Sequence, residues 1–285
     1  SLELNSNTKI LIVGLGVIGG SYAKALTKKG YKIKAIDISQ KTIDYALENK
    51  LISYGTTEVE PSLVSEADII VFALYPHTFK KWITDYQKYF RPGIIITDVT
   101  GVKGCIVYDI QSILREDVEF IAAHPMAGRE RSGIEYSDDK VFIGANYIVT
   151  PTAKNTRQAI ELCKTLGSEL GFKKISEITP ELHDEMIAFL SQLTHCIAVA
   201  LMTAGENPSL RDYSGDSFRD LTRIAKINDE MWSELFLLNR DALLREMDSF
   251  EREFKKMRAC VETGDRETMR EMMRCSTERR ALFDK

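Results

Sequence analysis

The segment Gly14-Leu15-Gly16-Val17-Ile18-Gly19 fits the pattern G-x-G-x-x-G. The demand behind that pattern is steric: a tight turn, a backbone that can come close to a pyrophosphate, and a helix packed hard against a strand. The helix expected after the turn, over 21–29, then offers its N-terminus to the phosphates, with Val17 and Ile18 of the turn among the cofactor contacts. Such a loop can also be a glycine-rich turn and nothing more, so its setting decides. Here it follows an apolar β-prone run at 9–13 and precedes a helical pattern, and the next β-prone run, at 31–36, ends at Asp37. A carboxylate at that point can hold both ribose hydroxyls and repels a 2′-phosphate. No arginine follows it, so the expected cofactor is NAD; Lys41 is near enough to keep NADP in view.

His124 opens a second group, His124-Pro125-Met126-Ala127-Gly128, directly after the apolar run at 120–123. An isolated histidine is more often a packed or capping group than a catalyst. This one stands at a strand end, at the carboxyl edge where open α/β sheets bind ligands. The charged residues Arg129, Glu130 and Arg131 follow it, a cluster suited to anions or to gating. Arg219, Asp220 and Arg223 are spaced to share neighbouring surface if the segment is helical. A guanidinium there fits a carboxylate, although the same spacing also gives ordinary surface ion pairs. Gln192 and His195 interrupt an apolar helical stretch, and polar groups in such a place need partners. A satisfied core histidine is the plainer account of His195. His183 and Asp184, near a helix start, are read as capping or packing groups, and His77 and Trp82 carry no catalytic signal.

The elements needed to position these groups are legible. Further buried strands are expected at 69–74, 94–98, 120–123 and 145–150, with helices at 40–48, 78–89 and 155–170 and a last strand at 172–175. Near-continuous apolar runs of this kind suit a parallel sheet covered on both faces. Beyond the sheet, helical periodicity takes over at 181–204, 218–227, 229–262 and 266–283, and the apolar segment 190–202 reads as a core helix or a subunit interface. The fold class is therefore α/β, an N-terminal Rossmann doubly wound parallel sheet over 1–175 followed by an all-α C-terminal domain over 176–285 that binds substrate and forms a homodimer.

Composition narrows the classes of function. With 38 basic and 42 acidic residues the net charge is −4, and no basic block offers a nucleic-acid footprint. No uninterrupted apolar run approaches the roughly 18 residues of a spanning helix, and no secretory signal opens the chain, so a cytoplasmic protein with no membrane partner is expected. Five cysteines without C-x-x-C spacing suit reduced thiols, and no metal site is expected.

The segments HPMAGRERSG (124–133), TPELHDEM (179–186), SQLTH (191–195) and FRDLTRIAKINDEMW (218–232) together resemble the prephenate and arogenate dehydrogenases of tyrosine biosynthesis, and with the glycine motif the likeness spans the chain. The resemblance implies NAD-dependent oxidative decarboxylation of prephenate to 4-hydroxyphenylpyruvate, or of arogenate, driven by aromatisation. It implies His124 as hydrogen-bond acceptor at the substrate hydroxyl and Arg223, with Asp220 beside it, at the ring carboxylate. It makes Gln192, His195 and Glu130 candidates for substrate contacts, the first two at the side chain or in tyrosine sensing. The family commonly has a serine directly before Val-Lys, whereas this chain reads Thr100-Gly101-Val102-Lys103, so Thr100 is the candidate to supply the missing hydroxyl. Two rival readings are a β-hydroxyacid dehydrogenase or imine reductase and a non-catalytic NAD sensor. The first commonly places a catalytic lysine, or an acid in its place, on the interdomain helix, and the absence of lysine from 181–204 counts against it; the second has no use for His124 and Arg223.

Overall fold

A computed structural model of the chain describes residues 3–127 and 131–284. Packing divides it into two compact units, Ser1–Asn239 and Arg240–Lys285. In the first, strands β1 (Ile10–Val13), β2 (Ile33–Ile36), β3 (Tyr54–Thr56), β4 (Ile69–Phe72), β5 (Ile95–Asp98) and β6 (Glu119–Phe120) form one parallel sheet in the order β3-β2-β1-β4-β5-β6. Successive side chains of a strand point to opposite faces, and here both faces are apolar. Ile10, Ile12, Ile69 and Val71 join a core with Tyr22, Leu26, Ile43 and Leu166, from helices α1 (Val17–Lys28), α2 (Gln40–Glu48) and α6 (Arg157–Glu169). Leu11, Val13, Ile70 and Phe72 join another with Leu63, Phe79, Trp82 and Ile106, from α3 (Pro61–Glu66), α4 (Pro76–Tyr86) and α5 (Gly104–Ile113). The doubly wound sheet is thus as the apolar runs require. Its strand order reverses between β1 and β4, and that switch point opens the crevice beside the glycine turn.

The run expected as one strand at 120–123 serves two sheets. After β6 the chain leaves the large sheet and enters β7 (Ala123–Pro125), which pairs antiparallel with β8 (Asn146–Val149); β8 in turn pairs parallel with β9 (Lys174–Glu177). The cause lies in Asp98, whose Oδ1 accepts the Ala123 N–H at 3.1 Å where a ladder carbonyl would otherwise stand. Apolar periodicity carries no trace of that substitution.

Thr179 caps the next helix by accepting the Leu182 N–H, and Pro180 takes the first helical position, where its missing N–H costs nothing. From there α7 (Pro180–Ile187), a π-helical turn (Ala188–Leu193) and α8 (Thr194–Ala204) run on as one helix, Pro180–Ala204. Contrary to the count of apolar residues in the sequence, this helix is long and apolar enough to cross a membrane by length and composition, because its polar interruptions Ser191, Gln192, Thr194 and His195 are uncharged. Nor is the segment at 190–202 enclosed within the chain: Leu190 and Met202 are exposed, and Ala198 is the buried residue of α8. The helix expected over 218–227 is shorter, α9 (Asp216–Thr222) followed by a 3-10 turn at Arg223–Ala225. That expected over 229–262 breaks at Asn239 into α10 (Asp229–Leu238) and α11 (Arg240–Thr263), since the Asn239 side chain bonds Gln192 Oε1 and the Asp184 carbonyl. In the second unit α11 packs on α12 (Arg266–Ala281) across a turn whose Gly264 adopts φ +72°.

A methyl group at Gly19 would lie 2.0 Å from the Gly14 carbonyl oxygen, so α1 rests directly on the turn. Gly19→Ala is expected to force α1 outward and cost about 1–3 kcal/mol, as overpacking does. Thermal unfolding measures this, and an undiminished melting temperature would mean that the helix has slack.

Candidate active site

At the switch point Gly14 adopts φ +99°, and a Cβ there would lie 2.4 Å from the Ala73 carbonyl at the end of β4. Gly16, by contrast, has open space where its side chain would be, and it caps α1 without a side-chain hydrogen bond. The first N–H groups of a helix have no intrahelical partners, so those at Val17, Ile18 and Gly19 need an acceptor from outside. A pyrophosphate supplies one, and the open cradle fits it. The half-buried Asp37 accepts the Leu15 N–H at 2.7 Å through Oδ2 and the Ser39 N–H at 2.9 Å through Oδ1. Its carboxylate thereby braces the glycine turn, and each oxygen keeps capacity for a second donor such as a ribose hydroxyl.

Beyond β5 lies a buried charge cluster. Lys103 Nζ bonds both oxygens of Asp98, at 2.9 and 2.8 Å, and neither side chain has accessible surface. Burial lowers the Lys103 pKa, with Asp98 opposing. His124 follows on β7, and its Nδ1 lies 2.7 Å from Nε2 of the fully buried His183. The His183 Nδ1 in turn lies 2.8 Å from Asp184 Oδ1. Asp184 also accepts the backbone N–H groups of Lys103 and Gly104, both at 2.8 Å, and so caps α5 from another helix. The helix on which Asp184 stands is capped by Thr179 instead, and nothing in sequence spacing brings residues 124 and 183 together.

Burial pushes His124 well below the ordinary histidine range, and the neighbouring His183 and Lys103 push it the same way. Some of the residue keeps accessible surface even though the ring is deeply set. Burial also lowers His183, against the Asp184 hydrogen bond that raises it. Gly101 lies over His124: a Cβ there would be 3.6 Å from His124 Nε2 and 3.9 Å from Leu235 of α10. Thr100, just before it, is buried, and its Oγ1 has no hydrogen-bond partner among the described residues.

The remaining candidates divide. Gln192 is enclosed, its amide donating to the Leu235 carbonyl at 3.1 Å and accepting from Asn239 at 2.8 Å, so it ties the long helix to α10. His195 donates from Nδ1 to the Ser191 carbonyl at 2.7 Å and stacks on Trp232, ring centres 3.9 Å apart. Arg223 is exposed and opens the 3-10 turn that packs against α8, the helix carrying His195. Asp220 is exposed on α9, where Arg219 pairs with Asp216 at 3.0 Å, and α9 passes after Thr222 into the 3-10 turn that Arg223 opens. Glu130 lies outside the described residues.

An open glycine cradle at a helix N-terminus, braced by a carboxylate at the end of the next strand and set at the switch point of a doubly wound parallel sheet, defines a dinucleotide-dependent dehydrogenase. The chain belongs to the prephenate dehydrogenase family. The family models for its nucleotide-binding domain and its dimerization domain match residues 22–176 and 179–275. The chain is 32% identical over 269 residues to the prephenate dehydrogenase of Bacillus subtilis, covering 91% of this chain and 72% of that one. The crystal structure of A. aeolicus prephenate dehydrogenase in complex with hydroxyphenyl propionate and NAD+ superposes with a TM-score of 0.89 at 31% identity, covering all of both chains. Synechocystis arogenate dehydrogenase matches at a TM-score of 0.82 and 25% identity, over 97% of this chain and 100% of that one. The chain is an oxidoreductase, and its cofactor is NAD.

The two histidines make stability depend on pH. Folded, both titrate below the ordinary value; unfolded, both titrate near about 6.5. Below that pH the unfolded chain therefore binds protons the folded chain refuses. Their contribution is complete above about pH 6.5 and is withdrawn as pH falls, by up to about 1.4 kcal/mol per pH unit for each ring. Urea unfolding from about pH 8 to about pH 5 measures the slope, expected to be shallower in His183→Gln. Equal slopes in the two proteins would mean that His183 titrates normally.

Proposed function

We propose that the chain catalyses the NAD-dependent oxidative decarboxylation of prephenate to 4-hydroxyphenylpyruvate. The observation that carries this is His124, neutral and deeply set, with Nε2 lying against a residue that has no side chain. When bound, NAD would supply the hydride acceptor for the ring carbon that bears the hydroxyl. His124 Nε2 accepts a hydrogen bond from that hydroxyl, which gains acidity as electrons leave its carbon; the ring carboxylate departs as carbon dioxide, and the phenol of the product keeps the proton. Arg223 holds the ring carboxylate, for which its planar fork is suited. Thr100 supplies the hydroxyl that Gly101 lacks; its unpartnered, buried oxygen supports this assignment. Asp37 takes the ribose hydroxyls, and the helix start at Gly16, Val17 and Ile18 takes the phosphates.

On the substrate side we assign a contact to His195, whose ring is fixed by Trp232, and keep Glu130 and Asp220 as polar neighbours. Gln192 is given a positioning role, since its amide is engaged within the protein. Residues 176–285 form the substrate-binding and dimerisation half in this reading, supported by the match to the family's dimerization domain. A second copy would cover the exposed Phe189, Leu190 and Met202, which favours a homodimer in the cytoplasm over a membrane span.

His124→Asn is expected to lower kcat by about 10²–10⁴-fold, as loss of a positioned hydrogen-bond acceptor at the reacting hydroxyl does, with little change in KM. Arg223→Ala should raise KM for prephenate more than it lowers kcat. NADH absorbance on mixing enzyme, NAD and either prephenate or arogenate measures both variants and ranks the substrates. Full activity in both variants would remove these assignments, and no turnover of either substrate would remove the proposed reaction.

A further inference from the structure

Resting on that reading of His124, we propose that His183 and Asp184 set which nitrogen of His124 carries the proton, and so keep Nε2 a lone-pair acceptor. An ionised carboxylate only accepts hydrogen bonds, so the His183 nitrogen beside Asp184 Oδ1, Nδ1, must carry a proton. A neutral imidazole has one N–H, which leaves His183 Nε2 as an acceptor. That nitrogen faces His124 Nδ1 at 2.7 Å, a distance at which two lone pairs or two protons cannot face each other. His124 Nδ1 therefore holds the ring's one proton, and its Nε2 is left bare.

Asp184 cannot turn away to release this order. Its two oxygens are held by the N–H groups that open α5, Oδ1 by Lys103 and Oδ2 by Gly104. The backbone that follows Thr100 and Gly101 thus fixes the far end of a relay whose near end, His124 Nε2, lies 3.6 Å from the Cβ position of Gly101. The opposite tautomer would present an N–H to the substrate hydroxyl and leave the hydroxyl's own proton with no acceptor. His183 and Asp184 are positioning residues that act through His124.

Nitrogen NMR of protein labelled in histidine, free and with NAD, reads the tautomer without reference to turnover. His124 should show a protonated, pyrrole-type Nδ1 and a pyridine-type Nε2. His183→Leu removes the acceptor and should mix the tautomers and lower kcat on the order of 10–100-fold, the range typical of residues that orient a functional one, with KM for NAD unchanged. His183→Gln, whose amide oxygen can replace the Nε2 acceptor, should recover most of the rate and the parental tautomer. A proton on His124 Nε2 in the parent protein would overturn the proposal even if His183→Leu failed to fold. So would a His183→Leu enzyme with parental kcat and tautomer, or a His183→Gln enzyme as impaired as His183→Leu. Full activity in His124→Asn would instead sink the catalytic reading, leaving the measured tautomer as a fact about the fold.

Discussion

Asp98 and Lys103 form an ion pair with no accessible surface on either side chain, and three pieces of chain are anchored to it. Asp98 ends β5, accepts the Thr100 N–H at 3.3 Å and the Ala123 N–H at 3.1 Å, and so steers both the segment leading into α5 and the strand leading to His124. Lys103 neutralises it from the start of α5, while the Lys103 N–H goes to Asp184 on α7. Removing one partner of such a buried pair costs about 3–5 kcal/mol because a charge is then stranded in a low dielectric. The same ammonium also helps keep the His124 ring uncharged. This one contact thus serves stability and adds to the burial and the His183 neighbour that keep the His124 ring uncharged.

The nucleotide half of the site needs no such device. Its glycine cradle is made by omission, through Gly14 and Gly19, where a side chain would strike backbone, and Gly16, which faces open space. Asp37 adds the one polar brace, by bonding Leu15 and Ser39. The cradle hangs on β1 and β4 at the centre of the sheet, whereas His124 hangs on β7 beyond its edge. Hydride transfer requires the two to keep a fixed separation, and Asp98 is the residue that joins large sheet to small.

Legibility in the sequence follows from how local each cause is. β1, α1, β2 and Asp37 were readable because turn sterics, strand apolarity and helix start occupy some thirty consecutive residues, the length of one βαβ unit. The strand at 120–123 was visible as apolar, but its division between two sheets depends on a side chain from residue 98. His124 could be singled out by its place at a strand end. His183 could not, since its significance lies in a partner 59 positions earlier. Gln192 shows a third case. A buried amide on an apolar helix invites a ligand, yet its partners are Leu235 and Asn239, and the latter's side-chain bonds also explain why one expected helix became two.

The π-helical turn at Ala188–Leu193 acts as a phase shift in the long helix. At roughly 100° per residue, nine steps of regular helix would put Gln192 about half a turn away from His183, one facing the body of the enzyme and the other facing out. Wider turns advance less per residue, and here both side chains are buried, while Asn239 donates to Gln192 Oε1 and to the carbonyl of Asp184, the residue after His183. The helix can therefore keep its inner face on the histidines through α7 and still hand a different, apolar face outward along α8. The length of this segment, as much as its composition, is what natural variation must conserve: a one-residue insertion or deletion between His183 and Gln192 would rotate half of the helix out of register with its own active site.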